Sequence, residues 1–478
     1  MNISRKFNMR KSQYELDFVD IDPNVDMRLF LDPYFISKCD FPFAIEAHST
    51  IRSFFEFLLA LLRGNRINEA HEVFSYLGES NDVCFGMSRA RPQGHGMGPK
   101  DTEEIFGQLL YSRAIQSGLM EDIEDFRIFV PNVDKDKVSD MTTNIIKKHL
   151  IEYTKQQCSL LEIPLSTNVP AGMYWNSQNR SWENEFTSRL IVDNKPILLV
   201  PKRIVSFSDK YTPSEYKQHF VLNFLQNENL RLQTSLIGYR RDGTEYVTKK
   251  SIKEAEGIID KEYLARFTEQ HPEVFRDFKR LTSVKLTFIE GKVLDNIDVN
   301  SVCEHLINQL RSISPGSEQA SDYHNLMVGI LELLFYPNLS SPKKEVQIHE
   351  RRKRIDITYN NSAETGFFFR IPNTTSLTCQ FVFVECKNYI GEIANPELDQ
   401  LSGRFSNRRG KIGILACRQL EDEGLFIRRC ADTYKDDRGL IIPITDDDII
   451  TALSIYPKIG YSSIENIIVQ KYQSIVLS

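Results

Sequence analysis

Between Phe381 and Lys387 apolar and charged positions alternate with a period of two: Phe381, Phe383, Glu385 and Lys387 fall on one face, Val382, Val384 and Cys386 on the other. That pattern predicts a strand. Similar runs predict strands at Glu345–Ile348, Arg354–Thr358, Lys411–Cys417 and Leu440–Ile444. Leu326, Ile330, Leu333 and Leu334 repeat at helical spacing and predict a helix from Asp322 to Phe335 that also carries Glu332. Pro337-Asn338-Leu339 and Ser341-Pro342 are expected to break the chain before the first strand. A second helix opens at Pro396 and sets Gln400 and Arg404 on a shared face. Residues 360–379, with Gly366-Phe367-Phe368-Phe369-Arg370, read as an added hairpin or flap. The whole predicts an α/β protein whose last third follows the order αβββαβ.

Upstream, helical periodicity covers Ala44–Leu77, Thr102–Ser117, Thr142–Gln157, Ser214–Leu230 and Lys261–Lys279, and Ile197–Val200 reads as a strand. The 478 residues suffice for two or three domains. A boundary is expected between Arg280 and Pro315, giving an N-terminal mixed α/β region (1–290), a C-terminal domain (315–455) and an extension (456–478).

The chemistry sits where the apolar runs end. Asp356 and Glu385 each close a strand of β-branched and aromatic residues, and Lys387 emerges beside Glu385. Charge placed against apolar strands needs a metal or a partner. Two carboxylates are hard ligands that suit Mg²⁺, with Mn²⁺ as a substitute, and such a cation bridges to phosphate and lowers the pKa of bound water. An ammonium next to it orients that water or stabilises developing negative charge.

These residues resemble the PD-(D/E)XK nucleases, the restriction-endonuclease-like superfamily, and its Mrr-like and Shedu-like bacterial defence members. Asp356 matches the first acid and Glu385-Cys386-Lys387 the E-x-K. The resemblance covers the last third of the chain. It implies that Asp356, Glu385 and the Cys386 carbonyl hold the metal, that Lys387 serves the nucleophile, and that Gln400 occupies the glutamine position of Mrr-like members. A third acid is either Glu332 or Glu345. Ile355 stands where the family pattern has proline, and 28 residues separate Asp356 from Glu385. The implied function is Mg²⁺-dependent endonucleolytic cleavage of DNA, double-stranded by preference, by an effector of restriction or antiphage defence. On that reading the N-terminal region senses a phage-derived or protein trigger, and a homo-oligomer is compatible with the class. A catalytically silent DNA-binding module and a repair or junction nuclease would use the same residues.

Charge changes this picture in detail. The net charge of −6 disfavours a nucleic-acid partner, yet residues 311–478 carry 20 Lys and Arg against 21 Asp and Glu, so −5 of the −6 belongs to residues 1–310. Basic residues flank the acidic pair: Lys343, Lys344, Arg351, Arg352, Lys353 and Arg354 before Asp356, and Arg404, Arg408, Arg409 and Lys411 after Gln400. Of these Lys344, Arg351, Arg352, Arg404, Arg408 and Arg409 are the expected phosphate contacts. Eight cysteines without a C-x-x-C pair predict reduced thiols and no zinc site. The longest apolar run, near Phe54–Leu62, is too short to span a bilayer, so a cytoplasmic protein is expected. Gly94, Gly96 and Gly98 lack the Walker pattern and read as a loop. The acids from Asp134 to Asp140 lack calcium-loop spacing, and Asp140 is expected to cap a helix.

Overall fold

The computed structural model describes the chain except residues 81, 87–97, 207–210, 283–293, 295, 296, 345–356, 390, 392 and 394. Two hydrophobic cores divide it. The first runs from Ile3 to Phe278 and gathers the helices α1 (Pro42–Arg63) and α2 (Lys147–Leu160) with short strands and further helices. Gly64 and Asn65, the latter at φ +57°, end α1, so the predicted stretch to Leu77 is two helices, the second being Ile67–Ser75. Asp134, rather than Asp140, caps the helix Lys135–Ile145, accepting from the Lys137 amide at 3.1 Å, while Asp140 is buried within it. The glycine-rich loop lies outside the described residues up to Gly98, which precedes the helix Pro99–Leu110.

The second core begins earlier than expected. Helix α3 (Val299–Ser312) fills the predicted boundary and buries Val302, Cys303, Leu306 and Leu310 against α4 (Ala320–Phe335). Then follow β1 (Leu339–Lys344), β2 (Ile357–Asn361), α5 (Gly366–Thr374), β3 (Phe381–Lys387), α6 (Asn395–Ser402), β4 (Ile412–Cys417), α7 (Glu423–Lys435), β5 (Leu440–Thr445), α8 (Asp446–Ile459) and α9 (Ser462–Val476). The strands form one five-stranded sheet in sequential order. β1, β2 and β3 are antiparallel neighbours, whereas β3, β4 and β5 run parallel. All six residues of β4 are buried, as a central parallel strand covered on both faces requires. The fold is therefore mixed α/β.

Three expectations change. The supposed breakers Ser341 and Pro342 lie inside β1, which shifts register between Ser340 and Lys343 with Ser341 at φ +49°. An edge strand tolerates a proline and a bulge. Its exposed groups are taken up by the first core: the Ser341 amide donates to Asp17 at 3.0 Å, and Gln157 Nε2 donates to the Pro342 carbonyl at 3.1 Å. Second, the flap is a helix, α5, burying Phe367, Phe368 and Ile371. Gly366 at φ +78° opens it beneath α9, where a Cβ would lie 2.6 Å from Glu465 Oε1. Third, the segment 456–478 is no appendage. Ile464, Ile468 and Ile475 of α9 are fully buried, and Lys471 ties α9 to Asp448 at 2.9 Å and to Glu423 at 2.5 Å.

The two faces of the sheet differ. Phe383 is paired with Gly413, whose missing side chain leaves room for Leu401 and Phe405, so α6 covers the face that carries Glu385 and Lys387. The other face, with Tyr359, Val382, Val384 and Cys386, receives α4, which packs in turn with α3, α8 and α9. Among the described residues no helix is long and apolar enough to cross a membrane.

Candidate active site

Glu385 and Lys387 lie at the carboxyl end of β3, where the partner strand β2 has already run out of described pairs at Ile357 and Val384. Alternation puts both side chains on the α6 face. The Glu385 carboxylate is 1 % exposed and makes an ion pair with Lys387. From α6, Gln400 Oε1 accepts from Lys387 Nζ at 3.5 Å. Pro396 in the first turn of α6 starts the helix so that Gln400 meets the strand end. Burial pulls the Lys387 ammonium towards deprotonation, but the charge and hydrogen bond of Glu385, together with Tyr389, outweigh it and the pKa ends above the ordinary lysine value. Lys387 is thus a fixed cation.

Two residues that sequence reasoning passed over complete the surroundings. The Asn388 amide donates to the carbonyls of Ser314 at 3.0 Å and Gly316 at 2.8 Å, pinning the end of β3 to the loop before α4. Tyr389, 42 % exposed, places its ring 5.4 Å from Lys387 Nζ and forms the solvent wall. Both directly follow the E-x-K, so position alone was the available signal. Cys386 points to the α4 face, where burial pushes its thiol up to about 12. Only its carbonyl remains as a donor towards the site.

The other candidate residues are placed as follows. Asp356, Glu345, Arg351 and Arg352 lie outside the described residues. Glu332 does not join Glu385. Its carboxylate is 1 % exposed, 3.4 Å from Lys202 Nζ of the first core, and it influences the Tyr359 phenol on the opposite sheet face. Lys202 also lies 4.3 Å from the Tyr336 ring centre. Asp17 completes this seam, accepting from Tyr153 at 2.5 Å. Beside it Arg203 donates to the Ser362 carbonyl at 2.5 Å and to the Pro337 carbonyl.

The basic residues separate likewise. Lys344 pairs with Glu162 at 3.4 Å. Arg404 is half-buried just past α6, and its carbonyl accepts from Arg409 at 2.8 Å. The Arg409 carbonyl accepts from the Phe381 amide at 2.8 Å, so the loop bearing exposed Arg408 and Arg409 hugs the start of β3. Lys387 lies six residues further along the strand, roughly 20 Å away at about 3.3 Å per residue. The two ends of β3 thus carry different equipment: a basic loop at one, the Glu385–Lys387–Gln400 group at the other.

Among the described residues no group of three or more His, Cys, Asp or Glu side chains converges as a metal site. Among the described residues Glu385 offers the buried carboxylate at the end of β3, with the Cys386 carbonyl beside it, which suits a hard cation as a partial donor set. All eight cysteines are free thiols.

Residues 8–212 match a family described as a domain of unknown function, DUF8370. The match includes Asp17, Tyr153, Lys202 and Arg203, the first core's side of the seam, and ends before β3 and its site. No curated protein and no solved structure matches the chain.

Proposed function

We propose that the chain is a metal-dependent endonuclease acting on DNA, with Glu385, Lys387 and Gln400 in its active site and Asp356 as the second carboxylate. The observation that carries this reading is the buried Glu385 carboxylate held against Lys387, with Gln400 delivered from the following helix, at the end of a strand flanked by one antiparallel and one parallel neighbour. A carboxylate so buried needs positive charge. Mg²⁺ would polarise a scissile phosphate and acidify a water there. In that arrangement Glu385 and Asp356 hold the cation, the Lys387 ammonium orients the water or steadies charge growing on the phosphate, and Gln400 aims the ammonium. Incubating purified chain with supercoiled plasmid, with and without Mg²⁺, tests the reading directly. Nicking or linearisation only with the metal is expected, and intact plasmid alongside measurable DNA binding would favour the catalytically silent module instead.

The basic loop supports a substrate longer than a dinucleotide. The Arg409 guanidinium lies 5.8 Å from the Phe383 ring centre, four residues before Lys387, so roughly 13 Å of strand, about four base pairs at about 3.4 Å each, separates it from the site. Arg408→Ala should therefore weaken duplex binding and lower the slope of log K against log salt by about one, with the rate of cleavage in the bound complex unchanged. An unaltered salt slope removes Arg408 from the interface.

A defence role for this nuclease in the cytoplasm of a bacterium rests on the family resemblance. It predicts that expressing the chain lowers phage plating efficiency and that Lys387→Ala restores it. Equal protection by both forms would place the function elsewhere.

A further inference from the structure

A concave site lies on the seam between the cores. The N-terminal segment and the start of α3 enclose a cleft of about 400 Å³. Its lining includes Arg5, Arg10, Lys11 and Glu15 from the first core and His305 from α3. Glu15 is already engaged, accepting from the Ser12 amide at 2.8 Å and hydroxyl at 2.9 Å and lying 3.8 Å from Lys11. Lys11 donates to the Asn325 carbonyl of α4 at 2.9 Å, and burial, against the pull of Glu15, lowers its pKa. Arg5 and Arg10 are exposed and have no acidic partner among the described residues, and neither has His305. The exposed apolar lining is Ile297, 40 % exposed, while Val302 is turned into the second core.

Uncompensated cations around a concavity attract an anion. Arginine forks bind phosphate oxygens with two parallel hydrogen bonds, a fit that a carboxylate-poor rim leaves open. The apolar wall adds a requirement for a flat or greasy body beside the charge. We infer that this cleft binds a small phosphate ester with an apolar body, of the mononucleotide class, its phosphate on Arg5 and Arg10 and its ring against Ile297. Since the walls come from both cores, the ligand spans the seam and stabilises their docking, because it binds only when they are together.

Calorimetric titration of the full chain with AMP, adenosine and inorganic phosphate tests this. AMP is expected to bind one site per chain more tightly than about 1 mM, with adenosine and inorganic phosphate each at least about tenfold weaker. The double variant Arg5→Ala/Arg10→Ala should weaken AMP by at least about tenfold while retaining the wild-type circular dichroism spectrum, because both side chains are exposed. Lys387→Ala should bind AMP as the wild type does, which keeps this test separate from the nuclease reading. Inorganic phosphate binding as tightly as AMP would overturn the apolar contribution. Adenosine binding as tightly as AMP, AMP binding untouched by the double variant, or no saturation would overturn the phosphate site.

Discussion

Lys387→Ala is expected to slow Mg²⁺-dependent cleavage by about a thousandfold, the scale of losing one preorganised group that stabilises transition-state charge. The structure adds a second consequence. Glu385 is 1 % exposed and ion-paired with Lys387, so the alanine leaves a buried carboxylate without its nearest cation. In metal-free buffer that carboxyl should take up a proton or destabilise the fold, and Mg²⁺ should restore part of the loss by supplying charge in place of the ammonium. Lys387→Arg separates the two effects. It keeps the positive charge and the pairing, but a planar guanidinium cannot put its donors where the compact ammonium sits. Stability near wild type with cleavage still reduced at least about a hundredfold is the outcome expected of it. Single-turnover nicking alongside thermal unfolding reads both quantities. Wild-type cleavage by Lys387→Ala would remove the active site from the end of β3 altogether.

The second large effect lies at the seam. Above about pH 8, where the Glu332 carboxylate is charged, Glu332→Ala should cost about 3 kcal/mol, because Lys202 would then lie buried with the Asp17 carboxyl, the Tyr336 ring and the Gln13 carbonyl, 3.4 Å away, as its remaining partners. The same seam should make stability depend on pH in an unusual direction. Burial raises the Glu332 carboxyl from 4.5 to about 8, with Lys202 opposing and the Asp17 charge adding to the rise. Burial raises Asp17 too. Between pH 4.5 and about 8 the folded chain therefore keeps a proton that the unfolded chain has released. The contribution of Glu332 is full below that window and disappears as pH climbs through it, at up to about 1.4 kcal/mol per pH unit. Glu332→Gln cannot titrate, so its stability should decline less steeply from pH 5 to pH 8 than that of the wild type. Chemical denaturation across this range would show parallel slopes for the two proteins if Glu332 plays no such part.

Glu332 also shows how a correct element can carry a misplaced role. The apolar spacing of α4 predicted the helix, and the structure has it over Ala320–Phe335. Periodicity says which residues share a helix face, not which neighbour that face meets. Here the neighbour is Lys202, 130 positions earlier in the chain, and no local pattern announces a pair that distant. The flap that became α5 failed for another reason. Gly366 and Pro372 are helix breakers by propensity, and burial of Phe367, Phe368 and Ile371 against the second core overrides them. β1 is the same case in a strand, with the first core satisfying the groups that Ser341 and Pro342 leave at the sheet edge.

Alternation alone was enough to put Glu385 and Lys387 on one face of a strand, since side chains two apart in an extended chain have no other choice. Spacing and Pro396 were enough to start the helix that brings Gln400. The apolar runs of β4 and β5 were enough to predict both as strands. Those features are local, and local sterics decide them. Which sheet face each helix covers, the diversion of Glu332 to the seam, the stationing of Arg408 and Arg409 at the far end of β3, and the cleft between Arg5, Arg10 and His305 were settled only by tertiary structure. Each depends on contacts between segments distant in sequence, and their free energy belongs to the packed whole rather than to any stretch of chain.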